Sequence, residues 1–207
     1  MSHLNVLIVT VLALTMPLGS PQRTGAQTST GSRSTAKQVE RFKRPADMRV
    51  KPPAGAPSGP DVRLATQACP ATLDEMCRNF WAFAGQFLRI NTIPTRDREL
   101  VTLRTAWLSR GEYIWGSHHD SYATKAGLTA EEVSRVTQGP DAAGWSRFDS
   151  VLLRAADELH ANRFISDDTW KALGERYSDR QRLETVLTVA AYTSLAMYFN
   201  STGAQME

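Results

Sequence analysis

Residues 98–122 read RELVTLRTAWLSRGEYIWGSHHDSY, and the fold prediction for this chain of 207 residues starts from that stretch. Apolar residues recur in it at helical spacing, and no part of it alternates convincingly at the period of two expected of a strand. Gly111 divides the stretch into two helices. The first helix carries Glu99 and Arg104, and the second carries His118. The stretch therefore predicts two successive helices that supply groups able to exchange protons.

The chain from Asp61 onward continues in the same way, with helix-starting signals between apolar runs. Thr72-Leu-Asp-Glu75 is a capping box, Thr95 is placed to cap the helix before Gly111, and the helix after it is predicted to end at Gly127. Further caps are predicted at Thr129, Ser146, Ser166 and Ser178. The sequence thus predicts an all-α domain, a compact bundle of about seven helices. Its last helix is apolar on more than one face, which suits the centre of the bundle or a subunit interface.

The beginning of the chain is predicted to precede the folded domain at residues 61–207. Residues 1–26 have the pattern of a signal peptide, because residues 6–18 are an apolar run too short to span a bilayer comfortably and residues 24–26 offer a small-residue cleavage site. No Lys or Arg precedes the run, so the alternatives are an uncleaved anchor, which would be the route to a membrane, and an incorrect start. Residues 27–60 lack apolar periodicity and predict a disordered basic linker. The domain is expected to be exported, either to the periplasm or as a secreted protein.

The positive charge of the chain belongs to its linker. The formal net charge is +3, yet residues 22–60 hold eight basic and two acidic residues, which leaves sixteen basic and nineteen acidic residues from Asp61 onward. A nucleic-acid-binding domain carries its positive charge on the folded face. The sequence therefore predicts no nucleic-acid partner.

Cys69 and Cys77 have the spacing of neither a CxxC redox pair nor a metal site. In an exported protein they can form a disulfide. The alternative is two small apolar residues, and Cys77 fits the buried stripe of its helix.

One helix face concentrates the candidate catalytic groups. Trp115, His118, His119 and Tyr122 lie at i, i+3, i+4 and i+7, and Glu112 precedes them by one turn in the first turn of the helix, where the helix dipole stabilises its charge. A tryptophan beside a histidine and a carboxylate forms the partly dry environment that general acid–base catalysis requires. The alternative is a polar helix face with surface histidines.

Other kinds of site lack support in the sequence. His118 and His119 are adjacent and point about 100° apart on a helix, so they cannot easily share a metal. Asp120 and His160 have no ligand spacing, and HExxH-type motifs are absent. A GxSxG nucleophile motif and a Gly-rich phosphate loop are also absent. We expect neither a metal nor an organic cofactor.

Several segments, in this order, resemble the carboxymuconolactone decarboxylase and AhpD-like alkylhydroperoxidase superfamily. They are RELVTLRTAWLSRGEYIWGSHH, AGLTAEEVSRV, GPDAAGW, LLRAADELH, ISDDTW and the closing FNSTGAQ, and the resemblance covers Asp61 to Gln205. The resemblance implies an all-α fold that assembles as trimers or hexamers, with sites near subunit contacts. It also implies a small-molecule substrate.

The peroxidase branch of that superfamily uses a CxxC pair, a histidine and an upstream glutamate. By resemblance, the glutamate falls on Glu99 and the histidine on His118, while the two cysteine positions fall on Gly111 and Ile114. Without a thiolate at those positions there is no nucleophile to attack a peroxide and no disulfide to recycle.

The decarboxylase branch keeps a histidine-centred site and uses no metal or organic cofactor. By resemblance, His118 is the proton shuttle, Glu112 and Glu99 orient it or relay protons, and Arg104 or Arg98 holds the substrate carboxylate. The remaining substrate-binding candidates are Trp115, Tyr122 and His119.

Three functions are compatible with this pattern. The first is cofactor-independent decarboxylation or isomerisation of a small lactone or organic acid. The second is hydroperoxide reduction by an AhpD-like protein that has lost the CxxC pair. The third is a member of the fold that binds a ligand without catalysis.

Overall fold

The structure, a computed structural model, describes residues 45–50, 74–89 and 91–204. The predicted signal peptide, most of the predicted linker, the Thr72 cap and Cys69 lie outside these residues and stay predictions. The described chain contains helices and no strand, which confirms the all-α prediction. The helices are α1 (Asp74–Arg89), α2 (Thr95–Leu108), α3 (Glu112–Ser117), α4 (Ala130–Val136), α5 (Arg147–Asn162), α6 (Asp167–Gly174) and α7 (Asp179–Thr202), with a π-helical turn (His118–Tyr122) directly after α3.

Helix α2 lies at the centre of the described domain, where it packs against α5 and α7 and also contacts α3 and α4. Every residue from Glu99 to Ala106 is buried, whether apolar or polar. A helix buried on all sides has no solvated face on which to leave its charged residues, so those residues need partners inside the protein. The charged side chains of α2 therefore form their contacts in the interior of the protein.

Helix α7 is buried on more than one face, as its sequence predicts. It packs against α1, α2, α3, α5 and α6. Leu183, Leu187 and Met197 nevertheless remain exposed on it. The helix is therefore central to the bundle along part of its surface and open to solvent along the rest.

A tight corner joins α2 to α3 and brings both helices against α7. Arg110 adopts a left-handed conformation with φ of 51°, and the Gly111 N–H donates to the Ala106 carbonyl at 2.8 Å. A Cβ placed on Gly111 would lie 3.1 Å from the Cβ of Ala196 on α7. Glycine at this position therefore lets α3 approach α7 closely.

Four predicted helix caps are confirmed, and one is wrong. The four side chains that accept a hydrogen bond from the backbone N–H three residues later are those of Thr129, Ser146, Ser166 and Ser178. Thr95 is instead the first helical residue of α2, and Pro94 occupies the cap position without a side-chain bond. Proline fits there because the first N–H groups of a helix lack intrahelical partners in any case.

The prediction of one regular helix from Glu112 to Gly127 is also corrected. The α-helix ends at Ser117, and Ala123 N then donates to the His118 carbonyl, five residues back, at 2.8 Å. Gly127, at a φ of 84°, belongs to the turn that follows. The extra residue in the π-helical turn changes the register of the helix at His118.

The described part of the predicted linker contacts the end of α7. Arg49 N donates to the Thr202 carbonyl at 2.7 Å. On α1, Cys77 is buried as predicted, whereas the apolar side chains of Met76 and Phe83 on the same helix are exposed. Among the described helices, none combines the length and apolar character needed to cross a membrane.

Candidate active site

His118 and Glu99 form a buried pair between the π-helical turn and α2. The Nδ1 atom of His118 lies 2.5 Å from Oε2 of Glu99. The imidazole side chain is 6% exposed and the carboxylate is fully buried. An ionised carboxylate can only accept, so Nδ1 carries the proton and donates. This leaves Nε2 as the nitrogen that can exchange a proton with another molecule.

Arg98 supplies the positive charge that accompanies the buried carboxylate. Its Nε and Nη2 atoms each lie 3.4 Å from Oε1 of Glu99, the oxygen that does not bond His118. The Arg98 side chain is itself largely buried. A buried charge is costly unless it is paired, and the two contacts of Glu99 meet that requirement. The result is a continuous Arg98–Glu99–His118 arrangement.

Two tyrosine rings flank the imidazole of His118. The ring of Tyr122 lies 4.9 Å from it, centroid to centroid, at a tilt of 32°, and the ring of Tyr192 lies 5.1 Å away at 86°. Tyr192 is buried on α7, and its burial together with the charge of Glu99 raises the pKa of Tyr192 well above its usual range. Sequence reasoning did not identify Tyr192. The available signal was weak, because α7 carries a second tyrosine, Tyr198, and further hydroxyl groups on Thr193 and Ser194.

The predicted face of Trp115, His118, His119 and Tyr122 separates into two pairs. His118 stacks with Tyr122, whereas Trp115 packs against His119 with ring centroids 6.0 Å apart. The His119 ring is half exposed, and its Nδ1 lies 2.6 Å from Oδ1 of Asp120. Adjacent helical positions point about 100° apart, so the two histidines meet different surroundings. The structure brings His118 and Tyr122 to Glu99, and places Trp115 and His119 beside that cluster.

Glu112 and Glu99 were both candidate partners for His118, and the structure brings Glu99 to it. Glu112 is exposed in the first turn of α3. The carboxylate at Nδ1 of His118 belongs to Glu99, nineteen residues earlier in the chain.

Arg104 is held away from this cluster, which corrects the expectation that it binds a substrate carboxylate. Its Nε and Nη2 donate to the two oxygens of Asp157 on α5, at 2.6 and 2.9 Å. Its Nη1 donates to the carbonyls of Val136 and Thr137. With these donors engaged inside the protein, Arg104 joins α2 to α4 and α5, and Arg98 is the arginine that contacts Glu99.

The two positions at which the peroxidase branch carries cysteines are filled by packing. Gly111 is buried against Ala196, and Ile114 is 3% exposed in a cluster that includes α7 residues. Cys77 is buried on α1. These positions serve the contact between α3 and α7.

No group of three His, Cys, Asp or Glu side chains that could hold a metal ion occurs among the described residues. A groove of about 430 Å³ opens between α1 and α7, and its lining does not include His118 or Glu99. The lining residues are Met76, Cys77, Phe80, Ser194, Met197, Tyr198, Ser201 and Thr202.

Comparison with known proteins points to one family. The model of the carboxymuconolactone decarboxylase family matches residues 74–158, a range that contains both Glu99 and His118. Among solved structures, the chain is similar to a protein of unknown function from Agrobacterium tumefaciens, described as a putative antioxidant defence protein AhpD. The two share 14% identity and a TM-score of 0.59 over 65% of this chain and 92% of that one. At this identity the likeness concerns the fold alone. No curated protein matches the sequence.

Proposed function

We propose that this chain, which matches the model of the carboxymuconolactone decarboxylase family over residues 74–158 and shares the fold of the AhpD-like neighbour, is a decarboxylase-like enzyme. Its substrate is a small lactone or organic acid, and the reaction uses acid–base chemistry without a cofactor. The observation that carries the proposal is the 2.5 Å contact between His118 Nδ1 and Glu99 Oε2 in a buried setting. Such a carboxylate fixes the tautomer of the imidazole and stabilises the imidazolium that forms during proton transfer.

In the proposed reaction, Nε2 of His118 first takes a proton from solvent, which forms the imidazolium while Glu99 stays bonded to Nδ1. The carbon–carbon bond to the substrate carboxylate breaks, carbon dioxide leaves, and the electron pair of that bond moves into the remaining carbon framework. His118 Nε2 gives its proton to that framework, and a proton from solvent restores the imidazolium. Glu99 stays ionised throughout, so its role is to orient and to stabilise charge.

Arg98 is the proposed source of positive charge for the anionic substrate. It contacts Glu99 and therefore lies beside the proton-transferring pair. Positive charge fixed near a reacting carboxylate assists both binding and the charge changes of the reaction. Arg104 does not take this role, because Asp157 and two carbonyls occupy it.

A panel of lactone acids, assayed for carbon dioxide release, tests the proposal. We expect turnover by the full chain and a loss of about 100-fold or more in kcat for His118→Gln, the range that general acid–base catalysis contributes. Glu99→Gln keeps the shape of the side chain and should lose activity in the same direction. His160→Gln, a half-buried histidine on α5, is the matched control and should keep full activity. Turnover that survives His118→Gln would overturn the proposal.

A peroxide assay and a ligand-binding assay on the full chain distinguish the two alternative functions. Given cumene hydroperoxide and a reductant, the chain is expected to show no turnover. Peroxide reduction that survives replacement of both cysteines but not of His118 would instead support the hydroperoxide alternative. No turnover across the lactone panel, combined with tight retention of one of its compounds, would favour a binding protein.

We also propose that the domain is exported and forms a homo-oligomer, a trimer or hexamer. Met76 of α1 and Met197 of α7 are exposed and line the same groove, which supports assembly because soluble monomers rarely expose contiguous apolar patches. Light scattering tests the assembly, and a monomer at working concentration would contradict it. N-terminal sequencing of protein recovered from separated cell fractions tests export, and an intact start in the cytoplasm would contradict that.

A further inference from the structure

Tyr192 occupies a position next to His118 that no predicted role explains. It lies in the middle of α7, is 4% exposed, and places its ring perpendicular to the imidazole at 5.1 Å. The ring belongs to a different helix from both members of the His118–Glu99 pair. Three separate elements therefore converge on one imidazole: α2 through Glu99, the π-helical turn through Tyr122, and α7 through Tyr192.

A hydrogen bond at one nitrogen does not by itself fix an imidazole. Rotation about the bond between Cβ and the ring moves Nδ1 away from Glu99 and redirects Nε2. Tyr122, whose ring lies 4.9 Å from the imidazole, is itself 40% exposed and is therefore less firmly packed than a buried residue. A rigid contact from the protein interior is needed to select one ring orientation.

Tyr192 provides such a contact from a well-packed helix. Its neighbours on α7, Ala191, Leu195 and Ala196, are all buried, so the ring has little room to move. Perpendicular ring contacts at this distance are favourable and directional. The phenol remains neutral, because burial and the charge of Glu99 oppose loss of its proton. Tyr192 therefore acts through its shape and position rather than as a base.

We propose that Tyr192 is a positioning residue whose ring holds His118 with Nδ1 on Glu99 and Nε2 available to the substrate. The catalytic consequence rests on the proposed function, whereas the positioning of the ring is independent of it. The proposal requires the ring of Tyr192 and not its hydroxyl. Phenylalanine should therefore replace tyrosine at this position, and an aliphatic residue should not.

Imidazole nitrogen NMR of the full chain tests the positioning directly. The chain has four histidines, so the spectrum of His118→Gln identifies the signals of His118. We expect the wild type and Tyr192→Phe to show one His118 tautomer, with a proton on Nδ1 shifted downfield by the carboxylate. In Tyr192→Leu, the tautomers should mix and the downfield proton should be lost to exchange. An unchanged His118 spectrum in Tyr192→Leu would overturn the proposal.

Two further variants separate positioning from general loosening of the core. Val189→Ala truncates a buried side chain one turn before Tyr192 on α7, in a separate apolar cluster that does not contain Tyr192, and should leave the His118 signals as in the wild type. A matching loss in Val189→Ala would count against a specific role for Tyr192. Tyr192→Met, closer to tyrosine in length, replaces the leucine variant if the latter fails to fold by circular dichroism, and it carries the same expectations.

Activity separates the failure of this proposal from the failure of the proposed function. With an active substrate, Tyr192→Leu should lower kcat about 10- to 100-fold, as misplacement of a catalytic group does, with little change in KM. Tyr192→Phe should keep kcat near wild type. If no substrate is turned over but the NMR result holds, the proposed function fails and the positioning stands. If His118→Gln abolishes turnover while Tyr192→Leu changes neither kcat nor spectrum, the positioning fails alone.

Discussion

His118 and His119 are neighbours in the chain with opposite surroundings. The first is buried and bonded to a buried carboxylate, and the second is half exposed and bonded to Asp120 at the surface. The angular step between adjacent helical residues explains the difference. The ring of His118 is held in the interior by a buried carboxylate, whereas the ring of His119 faces solvent. Chemistry at this site is accordingly proposed for His118.

Gly111 shows how one missing side chain sets the packing around the site. We predict that Gly111→Ala destabilises the protein by about 1–3 kcal/mol, the usual cost of overfilling a packed core. The reason is the 3.1 Å approach of the new Cβ to Ala196, since the backbone of Gly111, with φ of −82°, is open to any residue. Urea unfolding measures the change.

A double-mutant cycle with Ala196→Gly checks the cause. Removal of the Ala196 methyl group clears the space, so Gly111→Ala should cost at least about 1 kcal/mol less in that background. Equal costs in the two backgrounds would show that the contact with Ala196 is not responsible. The same contact explains why a cysteine is poorly accommodated at this position.

At the scale of elements, α2 is tied to its neighbours by charged residues that it buries. Asp97 accepts a hydrogen bond from Tyr177 at 2.7 Å, Glu99 bonds His118, and Arg104 pairs with Asp157. Each contact joins α2 to a different element. Because removal of one partner would leave a buried charge uncompensated, these pairs favour one arrangement of the helices over sliding alternatives.

Glu158 joins α5 to the start of α6 through hydrogen bonds. Its two oxygens accept hydrogen bonds from the Ser166 N–H, the Ser166 hydroxyl and the Thr169 hydroxyl, at 2.7 to 2.9 Å. Burial opposes its ionisation, but these donors outweigh burial and hold the pKa of Glu158 below its usual range. The carboxylate thus fixes the start of α6 against the last turns of α5.

We predict that Glu158→Gln destabilises the protein by about 1–2 kcal/mol at pH 7, since an amide nitrogen would face hydrogen-bond donors. A lowered pKa in the folded state means that the carboxylate stabilises the fold above its unfolded pKa of about 4.3, and that this contribution is lost as the pH falls below it. The difference between wild type and variant should therefore persist from pH 7 to about pH 5 and shrink at lower pH. Urea unfolding across that range measures it.

Glu175→Gln is the control for this pH series. Glu175 pairs with Arg147 at the surface, where both side chains are more than half exposed. Loss of this surface ion pair should lower the free energy of unfolding by about 0.5 kcal/mol or less at any pH. A pH-independent cost for Glu158→Gln would contradict the proposed role of its ionised form.

At the scale of the whole molecule, two buried tyrosines, one on α7 and one just before it, contact residues of other elements. Tyr177 precedes α7 and bonds Asp97, and Tyr192 lies on α7 beside His118. Burial, and then the hydrogen bond to Asp97, raises the pKa of Tyr177 above its usual range, as burial and Glu99 do for Tyr192. Neither phenol can ionise without disturbing the contacts between helices.

We predict that the folded protein loses stability above about pH 10, the ordinary pKa of tyrosine. With the folded pKa raised, the unfolded chain gives up these protons first, so rising pH favours unfolding. Phenolate absorbance should show that the signals of Tyr177 and Tyr192 appear only as circular dichroism reports unfolding. Tyr177→Phe should reduce the absorbance change that accompanies unfolding. Complete ionisation of the folded protein would contradict the prediction.

Much of the fold followed from local pattern, and parts of the site did not. Apolar periodicity and the Ser and Thr caps predicted the helices, because both depend on residues within one or two turns. The π-helical turn at His118 was not predictable, since its cost is offset by packing from other elements. Resemblance to known proteins suggested Glu99 and His118 as partners, whereas helical spacing alone favoured Glu112.

The sequence by itself determined that the described domain is a helical bundle, and which stretch carries its ionisable groups. Only the tertiary structure decided the pairings. It pairs Glu99 with His118, which is nineteen residues away in the chain, and Arg104 with Asp157, which is fifty-three residues away. It also places the ring of Tyr192 on α7 against the imidazole. The physical reason is that periodicity defines the faces of each helix, whereas the burial of α2 on all sides decides which faces meet.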